Sequence, residues 1–189
     1  MTPLLIQPPA IEPVGLAEMK NHLRLDGTQE DDLVATLITA ARLMVEAMSG
    51  RMLIDQTWRI VLDGWPTSDT LRLPVGPVRQ VLAARVFDAA GLPQAVAANA
   101  LMLEIGSDPP KVRLIAAVSQ PGRAYAGIEI DVLAGFGATA AQVPAPLLQA
   151  IRMLVARWFE QRGDVVARDA EALPPAIAAL LQPWRKVRL

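Results

Sequence analysis

PAPLLQAIRMLVARWFEQRG, residues 144–163, decides how the rest of the chain is read. Leu147, Leu148, Ile151, Leu154, Val155, Trp158 and Phe159 recur at spacings of three and four, which predicts one apolar face of a 3.6-period helix. Gln149, Arg152, Ala156 and Glu160 mark the wet face. Pro144 and Pro146 stand where a first turn needs no backbone N–H, and Gly163 stands where a last turn can close in the left-handed region. A helix with seven apolar side chains on one face needs a partner. The stretch 31–49 supplies one: Leu33, Val34, Leu37, Ile38, Ala41, Met44, Val45 and Met48 share a face, with Asp32, Thr36, Thr39, Arg42 and Glu46 opposite. Gly50 closes this second helix, which at about 1.5 Å per residue spans about 27 Å. Thr28 and Asp31 ahead of it form a capping-box-like pair, and Glu30, Asp31 and Asp32 suit the positive end of its dipole. Between Leu16 and Leu25 a short helix is expected, with Leu16, Met19 and Leu23 on one side.

From Gln56 the period changes from 3.6 to 2. Trp58, Ile60 and Leu62 alternate with Arg59, Val61 and Asp63, the pattern of a half-buried strand. Further short strands are expected at 71–73, 78–88, 101–105, 111–115 and 128–134. In the last of these, Ile128, Ile130 and Val132 alternate with Glu129 and Asp131. Turn signals such as Asp88-Ala89-Ala90-Gly91 and Asp108-Pro109-Pro110 separate the strands. No helices intervene, so the pairing is antiparallel. The Ala-rich stretch 94–100 takes no assignment. After a polar loop at 164–171, Ile177, Leu180, Leu181 and Trp184 predict a short last helix limited by Pro183. The fold class is therefore α+β: a helical bundle of two long and two short helices (residues 15–55 and 140–184) with an inserted small antiparallel β lobe (56–136). An extended N-terminal arm (1–14) precedes it and a C-terminal tail (185–189) follows.

The chain has 189 residues, no cysteine and a net charge of -1. A hydrophobic fraction of 52% points to subunit contacts, because no apolar run reaches the roughly 18 residues of a membrane span. The arm, with its prolines and no basic n-region, does not read as a signal peptide. Charge is segregated: residues 1–50 carry -4, 51–139 carry 0 and 140–189 carry +3. Either the terminal helices pair within one chain, or one copy's acidic end meets the basic end of the next. The balance is unlike that of a dedicated nucleic-acid binder.

Chemistry-bearing motifs are sparse. His22 is the single histidine and reads as a solvated helix residue, so no catalytic residue, no metal ligand set and no cofactor are assigned. Gly135-Phe136-Gly137 lacks the third glycine of a dinucleotide fingerprint and reads as a strand-to-helix turn. Neither a P-loop nor a GxSxG elbow is present. Trp58, Trp65, Trp158, Trp184, Phe87, Phe136, Phe159 and Tyr125 are dispersed and read as core anchors. The segment Trp184, Arg185, Lys186, Val187, Arg188 and Leu189 is the candidate docking site, either a solubilising tail or an extended end able to add to a partner's sheet edge.

LAEMKNHLRLDG, EDDLVATLITAARLMVEAMSGRML followed by Gln56-Thr57-Trp58, LRLPVGPV, VPAPLLQAIRMLVARWFEQRGD and ALPPAIAALLQPWR stand in an order and spacing covering residues 16–185. With these stretches the chain resembles the head-to-tail connector (adaptor) proteins of phages and gene transfer agents. The resemblance implies a non-enzymatic structural adaptor. It implies a dodecameric ring in the neck of a phage-like particle assembled in the bacterial cytoplasm. Portal protein would lie on one side and a tail-side neck or stopper protein on the other, with DNA passing through the channel without sequence-specific binding and no membrane involved. It also implies that Trp184–Leu189 dock on the portal. Relatives often have Tyr where this chain has Phe136, Phe159 and Trp184, which costs hydroxyls but keeps aromatic bulk. Two other classes stay open: an enzyme or accessory factor of DNA packaging, and a module whose β lobe holds a peptide or small ligand.

Overall fold

In the computed structural model, residues 1–161 and 173–185 are described. The element order is β1 (Thr2–Gln7), α1 (Leu16–Leu23), α2 (Asp31–Ser49), β2 (Gln56–Leu62), β3 (Thr70–Arg72), β4 (Val78–Phe87), β5 (Pro93–Ala95), β6 (Leu101–Glu104), β7 (Lys111–Leu114), β8 (Ile128–Ala134), α3 (Ala145–Glu160) and α4 (Pro175–Leu181). The fold is α+β, with four helices and two antiparallel sheets among the described residues. Two compact units divide it, one made of residues 1–10 and 55–136, the other of 11–54 and the chain from Gly137 onward.

In the helical unit, α2 and α3 pack against each other, α4 packs on α3, and α1 contacts α2. Val34, Ile38, Ala41 and Val45 of α2 meet a core completed by Leu147, Ala150, Ile151, Leu154 and Val155 of α3 and Ile177 and Leu181 of α4. Four of the seven apolar positions expected on α3 are buried. Leu148, Trp158 and Phe159 are only half-buried, because they flank the face that meets the other helices. The expected Gly163 stop and the loop 164–171 lie outside the described residues. Helix α1 ends earlier than its pattern suggested, at Leu23, where Arg24 takes the left-handed conformation and satisfies the Lys20 and Asn21 carbonyls. The capping box expected at Thr28 does not form. Glu30 occupies the cap position, and Asp31 instead meets Lys20 at 2.5 Å. Gly50, with φ 68°, closes α2 as expected.

In the β unit the five-stranded sheet runs β1-β2-β8-β4-β5 and the three-stranded sheet β3-β7-β6. β8 occupies the centre of the larger sheet. Its residues Ile128, Ile130 and Val132 are fully buried on one face, while Glu129 and Asp131 lie on the other. Period 2 dictates this division, since successive side chains of a strand point to opposite faces. Two strands had no counterpart in the sequence pattern. β5 overlaps the start of the unassigned Ala-rich stretch 94–100. β1 lies in the extended arm, where Thr2–Leu5 pair with Trp58–Val61 of β2 as the sheet's edge strand.

Candidate assembly surfaces

Cross-strand registry builds a closed charge cluster in the β unit. Arg59 on β2 stands opposite Asp131 on β8, and Arg85 on β4 stands opposite Glu129. Arg59 Nε donates to Asp131 Oδ1 at 2.7 Å, and Arg85 Nη2 donates to Asp131 Oδ2 at 2.6 Å. Arg85 Nη1 reaches Glu129 at 2.8 Å, and Arg59 Nη1 lies 3.3 Å from the same carboxylate. Two guanidinium groups thus hold two carboxylates in a closed ring of charge-assisted bonds. The hydrogen bond from Arg59 holds the Asp131 carboxyl below its ordinary range, against burial that acts the other way, with Arg85 adding to the effect. The same bond holds the Arg59 guanidinium above its usual value. Every charge in this cluster is satisfied internally, so the cluster fixes strand registry instead of presenting a reactive group.

A second cluster lies in the helical unit. The helical period placed Arg42 and Glu46 of α2 on a wet face, yet both are buried, at 6% and 5% exposure. The segment before α1 explains the difference: Glu12 accepts from Arg42 Nε at 2.8 Å and from the Thr39 hydroxyl at 3.0 Å. Glu46 accepts from Arg42 Nη1 at 3.0 Å, and its other oxygen accepts from the Leu53 N–H at 2.9 Å. Burial opposes the charge on Arg42, but the bonds and charges of Glu12 and Glu46 outweigh it and hold the guanidinium above its usual value. Acidic and basic ends also meet within one chain, since Arg152 on α3 donates through Nε to Glu18 on α1 at 2.8 Å. His22 is exposed on α1, as expected.

Of the candidate docking segment, Trp184 ends a short 3-10 turn after α4, is half-buried, and accepts at its backbone carbonyl from Arg51 Nε at 3.2 Å. Arg185 is exposed, and Lys186, Val187, Arg188 and Leu189 lie outside the described residues. Among the aromatic residues, Trp65 is buried but Tyr125 is 81% exposed, so it is not the core anchor its residue type suggested. The surface feature missed by sequence is apolar. Met1 just ahead of β1, Leu4, Leu5 and Ile6 along it, and Leu82, Leu92, Met102, Ile105 and Ile115 elsewhere in the β unit, are all exposed. The uncharged run PLLIQ was the available signal, because such a stretch finds little to bury it within its own neighbourhood.

The fold has close counterparts. A chain in the neck of an empty gene transfer agent (GTA) particle, computed with C6 symmetry, matches over 100% of this chain and 97% of its own, at 31% identity and a TM-score of 0.86. The chain belongs to the phage head-tail connector family. Sequence agrees with structure here, since the model of the phage gp6-like head-tail connector proteins matches residues 14–85, which hold α1, α2, β2, β3 and most of β4 of this connector. A chain from the virion of a native GTA particle matches at 31% identity and a TM-score of 0.84. One from a native GTA neck computed with C12 symmetry matches at 32% and 0.81. Each covers 100% of this connector and 97% of the other chain. No curated protein is detectably similar to it in sequence.

Proposed function

We propose that this connector is a structural adaptor of the neck of a phage-like or gene transfer agent particle. The observation that carries this is the likeness to a GTA neck chain over 100% of this chain and 97% of the other, at 31% identity. A partial match would support a shared domain only. This match takes in residues of both compact units. Copies assemble as a ring around the particle axis, twelve in number, in keeping with the symmetry used for the native neck. The helices of residues 15–55 and 140–184 form a four-helix bundle that is the scaffold of each subunit, and the lobe at 56–136 carries surface for neighbours. The ring sits between the portal protein and a tail-side neck or stopper protein, and DNA passes through its channel without being read. Its work is positioning, not turnover: the two charge clusters described above spend their carboxylates on internal ion pairs. Trp184–Leu189 form the segment that docks on the portal, with Arg185 exposed at its start.

Deleting the gene in the producing cell should leave heads without tails, seen by electron microscopy, with complementation restoring them. Tailed, transfer-competent particles from the deletion strain would overturn the assignment. Truncation after Pro183 should give a folded chain that is missing from purified particles; normal incorporation would remove the docking role of the tail.

A further inference from the structure

The larger sheet has two uncovered edges of unlike character. β1 forms one, with its outer side unpaired among the described residues. At the other, β5 covers only Arg85–Phe87 of β4, and the Val96 N–H to the Ala84 carbonyl is the last bond of that pairing. Among the described residues, Val78–Ala83 therefore have a strand partner on the β8 side alone. Beside this free stretch lies a groove of about 420 Å³, bounded on its far side by Ala95, Val96, Leu101, Leu103 and Ile105. Leu82 and Ile105 are 45% and 89% exposed at its rim.

We propose that β1 of a second copy of this chain adds to the uncovered edge of β4, so that the sheets of neighbouring subunits join around the ring. The proposal rests on the adaptor reading above. Three observations select the occupant. Cyclic symmetry above twofold requires two different, mutually complementary patches on each subunit, and these are two opposite edges of one sheet. Strand polarity also fits: all pairs in the sheet are antiparallel, so β1 runs opposite to β4, and a neighbour's β1 laid there continues the alternation. Finally, β1 offers six residues without a charge, TPLLIQ, all exposed, to a free stretch of similar length beside an apolar groove. Main-chain bonds supply the pairing, and alternate side chains of β1 enter the groove. Irregularities between Val78 and Gln80 and between Val81 and Ala83 blunt the β4 edge against arbitrary strands. Arg79 is drawn aside by Asp55 at 2.5 Å.

The chain contains no cysteine, which makes the test clean. Leu4→Cys, Leu5→Cys and Ile6→Cys are each combined with Leu82→Cys, and particles assembled from each double variant are oxidised. Within one chain β1 and β4 lie three strand spacings apart, about 14 Å, beyond the roughly 7 Å limit of a disulfide. Any bond is therefore between copies. At least one double variant should give a reducible ladder of covalent multimers, and the single variants should give none. Leu82→Lys should lower incorporation at least tenfold while Thr67→Lys, at an exposed polar position of the same unit, leaves it unchanged. Particles that contain the double variants at normal level but show no ladder would overturn the edge pairing and leave the adaptor role standing. Absence of even the unmodified chain from particles would overturn both. A bond from Leu82→Cys to a different protein would assign the groove to a non-identical partner and also overturn the proposal.

Discussion

The two units handle polarity in opposite ways. The helical unit takes charge inside: Arg42 and Glu46 are buried with Glu12 closing over them. The β unit leaves apolar residues outside. Of twelve large exposed hydrophobic side chains among the described residues, ten lie in residues 1–10 and 55–136, the exceptions being Ile11 and Leu43. A subunit that must hold its own shape while joining others benefits from this division. One part is sealed by internal packing and ion pairs, and the other keeps surface that gains free energy only on association.

The largest effect that sharpens the contrast is expected in the helical core. Ile151→Ala removes a fully buried side chain between α2 and α3 and should cost about 4 kcal/mol. Thermal unfolding should show this as a drop in Tm of about 10 °C. Next comes Glu46→Ala, which strips a buried carboxylate from Arg42 and orphans the Leu53 N–H, for about 3 kcal/mol in urea unfolding.

In the β unit Asp131→Asn should cost less, about 2 kcal/mol at neutral pH, since Glu129 still neutralises part of Arg59 and Arg85. Its pH dependence follows from the depressed value of Asp131. The native chain binds this proton less readily than the unfolded chain, so the stabilisation is complete above the ordinary value of about 3.8 and is lost as pH falls through the lower folded value. Wild type and Asp131→Asn should therefore converge in stability in that acid window. An Asp131 effect larger than that of Glu46 would break the contrast between the units. Smallest is Arg152→Ala, whose partner Glu18 has a side chain 47% exposed, at about 0.5 kcal/mol or less.

How much of this was legible depended on the range of the interaction that fixes each residue. β8 and α2 could be bounded from sequence because their periods are local: Ile128, Ile130 and Val132 alternate, and Val34, Ile38, Ala41 and Val45 repeat along one stripe. β1 could not be recognised as a strand, because the residues it pairs with on β2 lie 50 to 59 positions away and its own side chains are exposed on both faces. Arg42 and Glu46 were misplaced for a related reason. A helical wheel puts them on the polar side, and only the tertiary approach of Glu12 buries that side. The candidate site was legible in part: a resemblance spread over five stretches led to the right family, but the apolar edge strand was read only as an extended arm whose role stayed open.

The most direct measurement is a cryo-electron microscopy reconstruction of the neck of particles produced with this chain. The account predicts twelve copies ringed about the axis between portal and tail, meeting through their β units, with residues 2–7 of one copy beside residues 78–83 of the next. A neck that lacks the chain, or a ring whose copies touch only through the helices, would contradict it.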